Sequence, residues 1–177
     1  MSDFIKNIIR LAVFIIIQVY LLNKIPHLHQ FIIPSIYYLF ILWLPFTVSR
    51  IGLMFVGFIT GMLLDWFTNS PGLHAAACVL IAYMRPFVIG VLTPKDATEF
   101  NYSEPSPRAM GWTPYLVYVL VLTLFHHGYV TFLEWLSFPG FLRFLIKVAA
   151  TTAISMLLVI IIEMLFPRKQ KYRTNTA

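Results

Sequence analysis

The chain has 177 residues, of which 59% are hydrophobic and 11% charged, with a net charge of +6 and a mean hydropathy of +0.80. Soluble domains have about half apolar and a quarter charged residues, so this composition excludes an ordinary soluble domain and predicts an integral membrane protein. Nearly the whole length is needed to cross a bilayer, which leaves no room for a soluble catalytic domain. Cys78 is the only cysteine, so a disulfide framework and a four-cysteine metal site are excluded.

Six hydrophobic segments are long enough, or nearly so, to cross a membrane as helices, which takes about 20 residues each. Tryptophans and prolines lie near their ends, where an amphipathic indole is stable and a missing amide donor does least harm. The sequence therefore predicts an all-α membrane protein with six transmembrane helices in one bundle. The predicted helices are 5–22, 31–46, 49–64, 73–92, 114–136 and 144–166, in one domain over 1–167, followed by a basic tail at 168–177.

The distribution of basic residues predicts the orientation of the bundle. With the N-terminus inside, only Lys24, Arg143 and Lys147 of the 13 Lys and Arg residues lie on the outer side. Because inner loops carry the excess of positive charge, both termini are expected in the cytoplasm. The positive net charge then reflects topology, and a nucleic-acid partner is not expected. The polar connection at 93–113 is interpreted as a flexible linker, with an inner-face contact as the alternative.

The third segment contains two glycines and a carboxylate on one helical face. Gly57 and Gly61 are four residues apart, a spacing that lets another backbone approach closely in lipid. Asp65 continues the same face, although a charged group at a helix centre costs about 2.5–3.5 kcal/mol on insertion scales. Three roles are open for Asp65: capping through the amides of Phe67 or Thr68, contact with a cation of a neighbouring helix, and proton or ion transport.

The same region carries a family resemblance. Gly57-Phe-Ile-Thr-Gly61-Met-Leu-Leu-Asp65 is followed by a turn at Pro71-Gly72 and by Leu73-His74-Ala75. This pattern resembles the motif of MreD, the rod shape-determining membrane protein family of bacteria, and the chain is also similar to that family in length, number of segments and basic ends. The long connection at 93–113 and the paired histidines of the fifth segment depart from the family pattern.

The resemblance implies a function and a location. The chain would be a membrane scaffold of the cell-wall elongation machinery in the bacterial inner membrane, with MreC, RodA with its transpeptidase, and MreB as protein partners, besides the membrane lipids. The resemblance also implies a fold similar to the substrate-binding components of energy-coupling-factor transporters. The expected partner or helix-packing interface consists of Gly57, Gly61, Asp65, Pro71, Gly72 and His74, and another protein is expected to cover the face of the two glycines.

The fifth segment holds a second group of polar residues. His126, His127 and Glu134 are candidates for the bundle interior, and no third metal ligand is placed beside the histidines by spacing. An interior hydrogen-bonding pair is therefore preferred to a metal site. Glu134 is expected to pair with Arg143 or Lys147 across the turn that follows.

Three functions remain open. No nucleophile with an adjacent base, phosphate-binding loop or carboxylate pair is visible in the sequence, so no catalytic residue, cofactor or metal is predicted. A non-enzymatic scaffold is preferred. One alternative is an intramembrane hydrolase or acyltransferase that uses His126 or His127. The other is the substrate-binding subunit of a vitamin-type transporter, with a pocket formed by His74, His126, His127 and Glu134.

Overall fold

A computed structural model describes residues 3–24, 34–93, 104–135 and 140–165. All regular secondary structure in these ranges is helical. Among the described residues, five helices are long and apolar enough to cross a membrane, namely Ile5–Lys24, Arg50–Thr68, Leu73–Leu92, Trp112–Glu134 and Phe141–Leu165. The chain is therefore an all-α, multi-pass membrane protein, as its composition predicts. The basic tail at 168–177 lies outside the described residues.

The helices are numbered in chain order. Helix α1, Asp3–Ile16, continues through a π-helical turn, Ile17–Leu21, and a 3-10 turn, Leu22–Lys24. Short helices are α2, Leu39–Leu42, and α5, Pro107–Met110. The remaining long helices are α3, Arg50–Thr68; α4, Leu73–Leu92; α6, Trp112–Glu134; and α7, Phe141–Leu165. Helix α4 packs against both α3 and α6, and α6 packs against α7.

The two glycines of the motif bring α3 and α4 into close contact. A Cβ atom at Gly61 would lie less than 3.0 Å from backbone atoms of His74 and Ala75, and one at Gly57 would lie 2.9 Å from the carbonyl oxygen of Cys78. Only glycine fits at either position without moving a backbone. The expectation that another protein covers this face is wrong, because α4 of the same chain already occupies it.

The second predicted helix, 31–46, is wrong over its described part. Within 34–46 only Leu39–Leu42 is α-helical, with turns on both sides. Pro34 and Pro45 flank this turn of helix, and proline limits how far a helix can extend. The side chains from Ile36 to Leu44 are all buried. We call residues 34–44 the central segment. Non-helical backbone at membrane depth is tolerated where protein encloses it, and the rest of the bundle encloses this segment.

The central segment runs antiparallel to α1. Its beginning is held by Gln18, which donates to the carbonyl of Pro34 at 3.1 Å and accepts from the amide of Ile36 at 2.9 Å. Its end lies about one turn earlier along the same helix, where the ring of Trp43 packs edge-on against Phe14 at 5.4 Å. The segment therefore passes through the interior of the bundle, and the long helices pack around it.

The described part of the polar connection, 104–113, is anchored to the bundle. Glu104 lies 3.3 Å from the guanidinium of Arg10, and the side chain of Ser106 is buried and caps α5 through the amide of Ala109 at 3.1 Å. Met110 packs against the hydrophobic core. The flexible-linker interpretation is thus wrong for these residues, whereas 94–103 lie outside the described ranges.

The glycine contact generates a stability prediction. Gly61→Ala should lower the free energy of unfolding by about 1–3 kcal/mol, because the added methyl group forces two backbones apart. Gly128→Ala is the matched control: it is also helical, and a Cβ there meets nothing within 4 Å. It should leave stability unchanged or raise it by up to about 1 kcal/mol through helix propensity. Unfolding by sodium dodecyl sulfate, followed by circular dichroism, measures both; equal stability of the two variants would contradict the packing.

Candidate functional site

Buried polar side chains surround the central segment and come from every long helix. Away from water such groups are costly unless they are hydrogen-bonded, so their partners show what they do. The buried polar residues include Gln18, Asp65, Arg85, Thr123, His126, His127, Ser155 and Glu163. Gln18 holds the beginning of the central segment, and the Thr123 hydroxyl lies 3.0 Å from the Tyr38 hydroxyl. The other six belong to three groups.

The first group, the cap cluster, consists of Asp65, Ser70 and His74. Asp65 is 2% exposed, and its Oδ1 accepts from the His74 amide at 3.0 Å and the Ser70 hydroxyl at 3.1 Å. Its Oδ2 accepts from the Ala75 amide at 3.0 Å, and the His74 Nδ1 lies 2.7 Å from Oδ1. Because both amides belong to the first turn of α4, the carboxylate caps that helix and meets the positive end of its dipole.

The cap differs from the sequence expectation in its donors. The capping hypothesis named the amide of Phe67 or Thr68 as the donor, and this assignment is wrong, because Asp65 caps the helix that follows its own. Helix α3 ends at Asn69, with a φ of 53°, and α4 begins after Gly72, with a φ of 84°. These two left-handed residues reverse the chain and bring the start of α4 beside Asp65. Gly72 has no side chain to cap α4, so Asp65 does it from the preceding helix.

The second group, the histidine cluster, consists of Tyr37, His126, His127 and Ser155. The His126 Nε2 lies 2.7 Å from the Tyr37 hydroxyl, and the His127 Nε2 lies 3.0 Å from the Ser155 hydroxyl. Ser155 also accepts from the amide of Ser35 at 3.1 Å. The two histidines are therefore interior hydrogen-bonding residues, each bonded to a hydroxyl group rather than to the other, and both hold the central segment.

A small polar cavity lies between the cap cluster and the histidine cluster. Its volume is about 40 Å³. Glu134 and Lys147 also line it and form an ion pair at 2.5 Å, so of the two expected partners of Glu134 the structure selects Lys147. In the part of the chain that the structure describes, no three His, Cys, Asp or Glu side chains are placed to hold a metal ion. The lining residues are Ser35, His74, His126, His127, Val130, Thr131, Glu134, Lys147 and Thr151.

The third group, the arginine cluster, consists of Arg85, Tyr115, Tyr118 and Glu163. Arg85 is 1% exposed; its Nε donates to the Tyr118 hydroxyl at 3.0 Å, and its terminal nitrogen donates to the carbonyl of Leu44. Tyr118 in turn donates to the carbonyl of Leu42 at 2.9 Å. Arg85 and Tyr118 thus satisfy two carbonyl groups at the end of the central segment.

The same cluster contains a buried negative charge. Tyr115 donates to the carboxylate of Glu163 and accepts from the indole nitrogen of Trp43 at 3.0 Å. Arg85 and Glu163 are therefore opposite charges in one buried cluster, each bonded to a tyrosine of α6. Sequence analysis missed Arg85 and counted it only as a topological charge. The available signal was a basic residue inside an apolar segment, which by default faces the bundle interior.

The Ser155 hydroxyl and the His127 Nε2 are 3.0 Å apart, a distance suited to a nucleophile and its general base. The contact between Ser155 and His127 is within the range found in serine hydrolases. However, Ser155 is 0% exposed, does not line the cavity and already accepts the Ser35 amide. A substrate has no access to the hydroxyl in this arrangement. The pair acts as a structural hydrogen bond between α6, α7 and the central segment.

Comparisons with protein-family models, curated proteins and solved structures give no match to this chain. Membership of the MreD family therefore stays a prediction that depends on the motif at 57–75 and on the general resemblance of the chain.

The cap cluster generates a second stability prediction. Asp65→Asn should lower the free energy of unfolding by about 1–2 kcal/mol, because an amide replaces one of two oxygens that accept backbone hydrogens. Glu134→Gln is the matched control: it makes the same chemical change in an ion pair near the surface, where the loss should be below about 1 kcal/mol. Detergent unfolding of both variants measures the difference. A larger loss for Glu134→Gln would contradict the capping role.

Proposed function

We propose that the chain is a non-enzymatic scaffold of the bacterial cell-wall elongation machinery and a member of the MreD family. It would lie in the cytoplasmic membrane and bind MreC, together with RodA, its transpeptidase and MreB. The proposal starts from the motif at 57–75. One structural observation carries it further: the polar residues of the interior are used to hold the fold together, which leaves the outer, apolar faces of the helices as the surfaces available for binding.

An apolar groove on the outside of the bundle supports this proposal. It has a volume of about 500 Å³ and is lined by residues of α3, α4 and α6. Its small lining residues are Ala75 and Ala76 of α4 and Gly72, which precedes that helix, and Phe58 and Tyr129 line it from the neighbouring helices. Small residues let a second helix come close where no hydrophobic effect drives helices together. We therefore propose this groove, rather than the glycine face, as the site for an apolar transmembrane helix of MreC.

A cation near the groove adds to this assignment. The guanidinium of Arg50 lies 5.4 Å from the ring centre of Tyr83, which lines the groove. Arg50 is the first residue of α3 and is exposed. An acidic residue at the end of the partner helix would be attracted to this charge, which would fix the direction in which the helix lies.

The transporter alternative receives less support from the same structure. The four residues proposed for its substrate pocket, His74, His126, His127 and Glu134, do line one cavity. That cavity measures about 40 Å³, whereas pockets for drug-sized ligands measure roughly 300–1,000 Å³. The contacts inside the bundle would have to break before a vitamin could enter. For the hydrolase alternative, the Ser155 hydroxyl is a candidate nucleophile beside a histidine, and it is buried.

Two substitutions of alanine by leucine test the groove. Ala76→Leu places a larger side chain on the floor of the groove and should reduce the amount of MreC that copurifies from native membranes about tenfold, because overpacking costs roughly 1–3 kcal/mol. Ala149→Leu makes the same change on an exposed face of α7 and should leave MreC recovery unchanged. Both proteins must be present in the membrane in equal amounts. Normal MreC recovery with Ala76→Leu would contradict the assignment of the groove.

A further inference from the structure

One nitrogen of the histidine cluster has no partner. His126 is 1% exposed, and its Nδ1 is buried without a hydrogen-bond partner among the described residues, while its Nε2 pairs with Tyr37. Leaving a buried polar atom unpaired costs about 1–3 kcal/mol, and native proteins seldom do so. The atom therefore calls for a partner that the described residues do not supply.

The cavity that His126 lines has the size and chemistry for water. About 10–15 Å³ holds one molecule, so a cavity of about 40 Å³ has room for one to three. A buried water needs two to four polar partners, and the lining provides imidazole nitrogens of His74 and His127 and hydroxyls of Thr131 and Thr151. Apolar voids stay dry, but eight of the nine residues that line this cavity have polar side chains.

The cavity also reaches the end of the bundle. Glu134 and Lys147 both line it, and their side chains are 28% and 13% exposed. Glu134 is the last residue of α6, and Lys147 lies in the second turn of α7. This ion pair therefore stands between solvent and the two buried histidines, at the end of the bundle where α4 begins.

We propose that the cavity is an internal hydration site. One to three water molecules connect the Nδ1 of His126 and the ring of His74 to solvent at the Glu134–Lys147 pair. Water is the ligand, and through it protons from that side of the membrane reach imidazoles at both the histidine cluster and the Asp65 cap. This site is independent of the partner groove, so the two proposals stand or fall separately.

The chain contains an internal control for this proposal. The Oγ1 of Thr152 is the other buried side-chain atom without a hydrogen-bond partner in the described residues. Thr152 is 3% exposed and does not line the cavity. Burial and lack of a partner are thus shared by both residues, and only His126 has the cavity beside it.

Solid-state NMR on the protein in lipid bilayers tests the site directly. With histidine labelled with ¹⁵N and threonine with ¹³C, magnetisation is transferred from water to the side chains, and signals are assigned with His126→Gln and Thr152→Val. Transfer should be strong at His126 and His74 and at least fivefold weaker at Thr152. Equal, weak transfer at His126 and Thr152 would overturn the proposal.

A second pair of variants changes the cavity itself. Thr131→Leu fills part of the cavity and should reduce water transfer to His126 at least fivefold, whereas Thr131→Val keeps a similar volume and should retain it. Unchanged transfer in Thr131→Leu would also overturn the proposal. If Thr131→Leu does not fold, the comparison of His126 with Thr152 in the unaltered protein decides alone.

Discussion

The structure depends on satisfying the backbone of the central segment away from water. A helix satisfies its own peptide groups, but residues 34–44 are helical only over Leu39–Leu42, so side chains must supply the remaining partners. At the beginning of the segment, the Gln18 side chain bonds to the carbonyl of Pro34 and the amide of Ile36. At its end, Arg85 and Tyr118 bond to backbone carbonyls. This requirement explains why an arginine and a glutamine lie in the interior of an otherwise apolar bundle.

Backbone groups also need partners at the start of α4, and α3 supplies them. The missing side chain of Gly61 lets the first turn of α4 approach α3 closely. That approach places the amides of His74 and Ala75 within 3.0 Å of the Asp65 carboxylate. The glycine and the carboxylate are therefore parts of one device, in which close packing and capping each require the other. The motif that resembles MreD contains this glycine and this carboxylate. Their first role is therefore to stabilise the fold.

Sequence reasoning predicted the class and the bounds of most long helices to within a few residues. It also named Arg143 or Lys147 as the partner of Glu134, and the structure selects Lys147. It failed for the segment 31–46 because hydropathy reports burial, and an apolar stretch can be buried without being a helix. It also failed to find the donors for Asp65 and the role of Arg85. Those partners depend on the reversal of the chain at Asn69 and Gly72 and on contacts between residues far apart in sequence.

The polar interior also limits what the molecule can do. The histidines, which the sequence marked as candidates for transport or catalysis, are engaged with Tyr37 and Ser155 and hold the central segment. Among the described residues, the places left for binding include the apolar groove formed by α3, α4 and α6 and the small cavity that Glu134 lines. A scaffold that binds another helix on its outer surface fits this division, because binding there leaves the interior contacts intact.

Solid-state NMR with ¹³C and ¹⁵N labels on the protein in lipid bilayers tests whether side chains satisfy the backbone of the central segment. We expect non-helical backbone shifts at Ser35–Ile36 and at Leu44 and a single helical turn at Leu39–Leu42. We also expect a close contact between the guanidinium nitrogens of Arg85 and the carbonyl carbon of Leu44. Uninterrupted helical shifts from 34 to 44, without that contact, would contradict it.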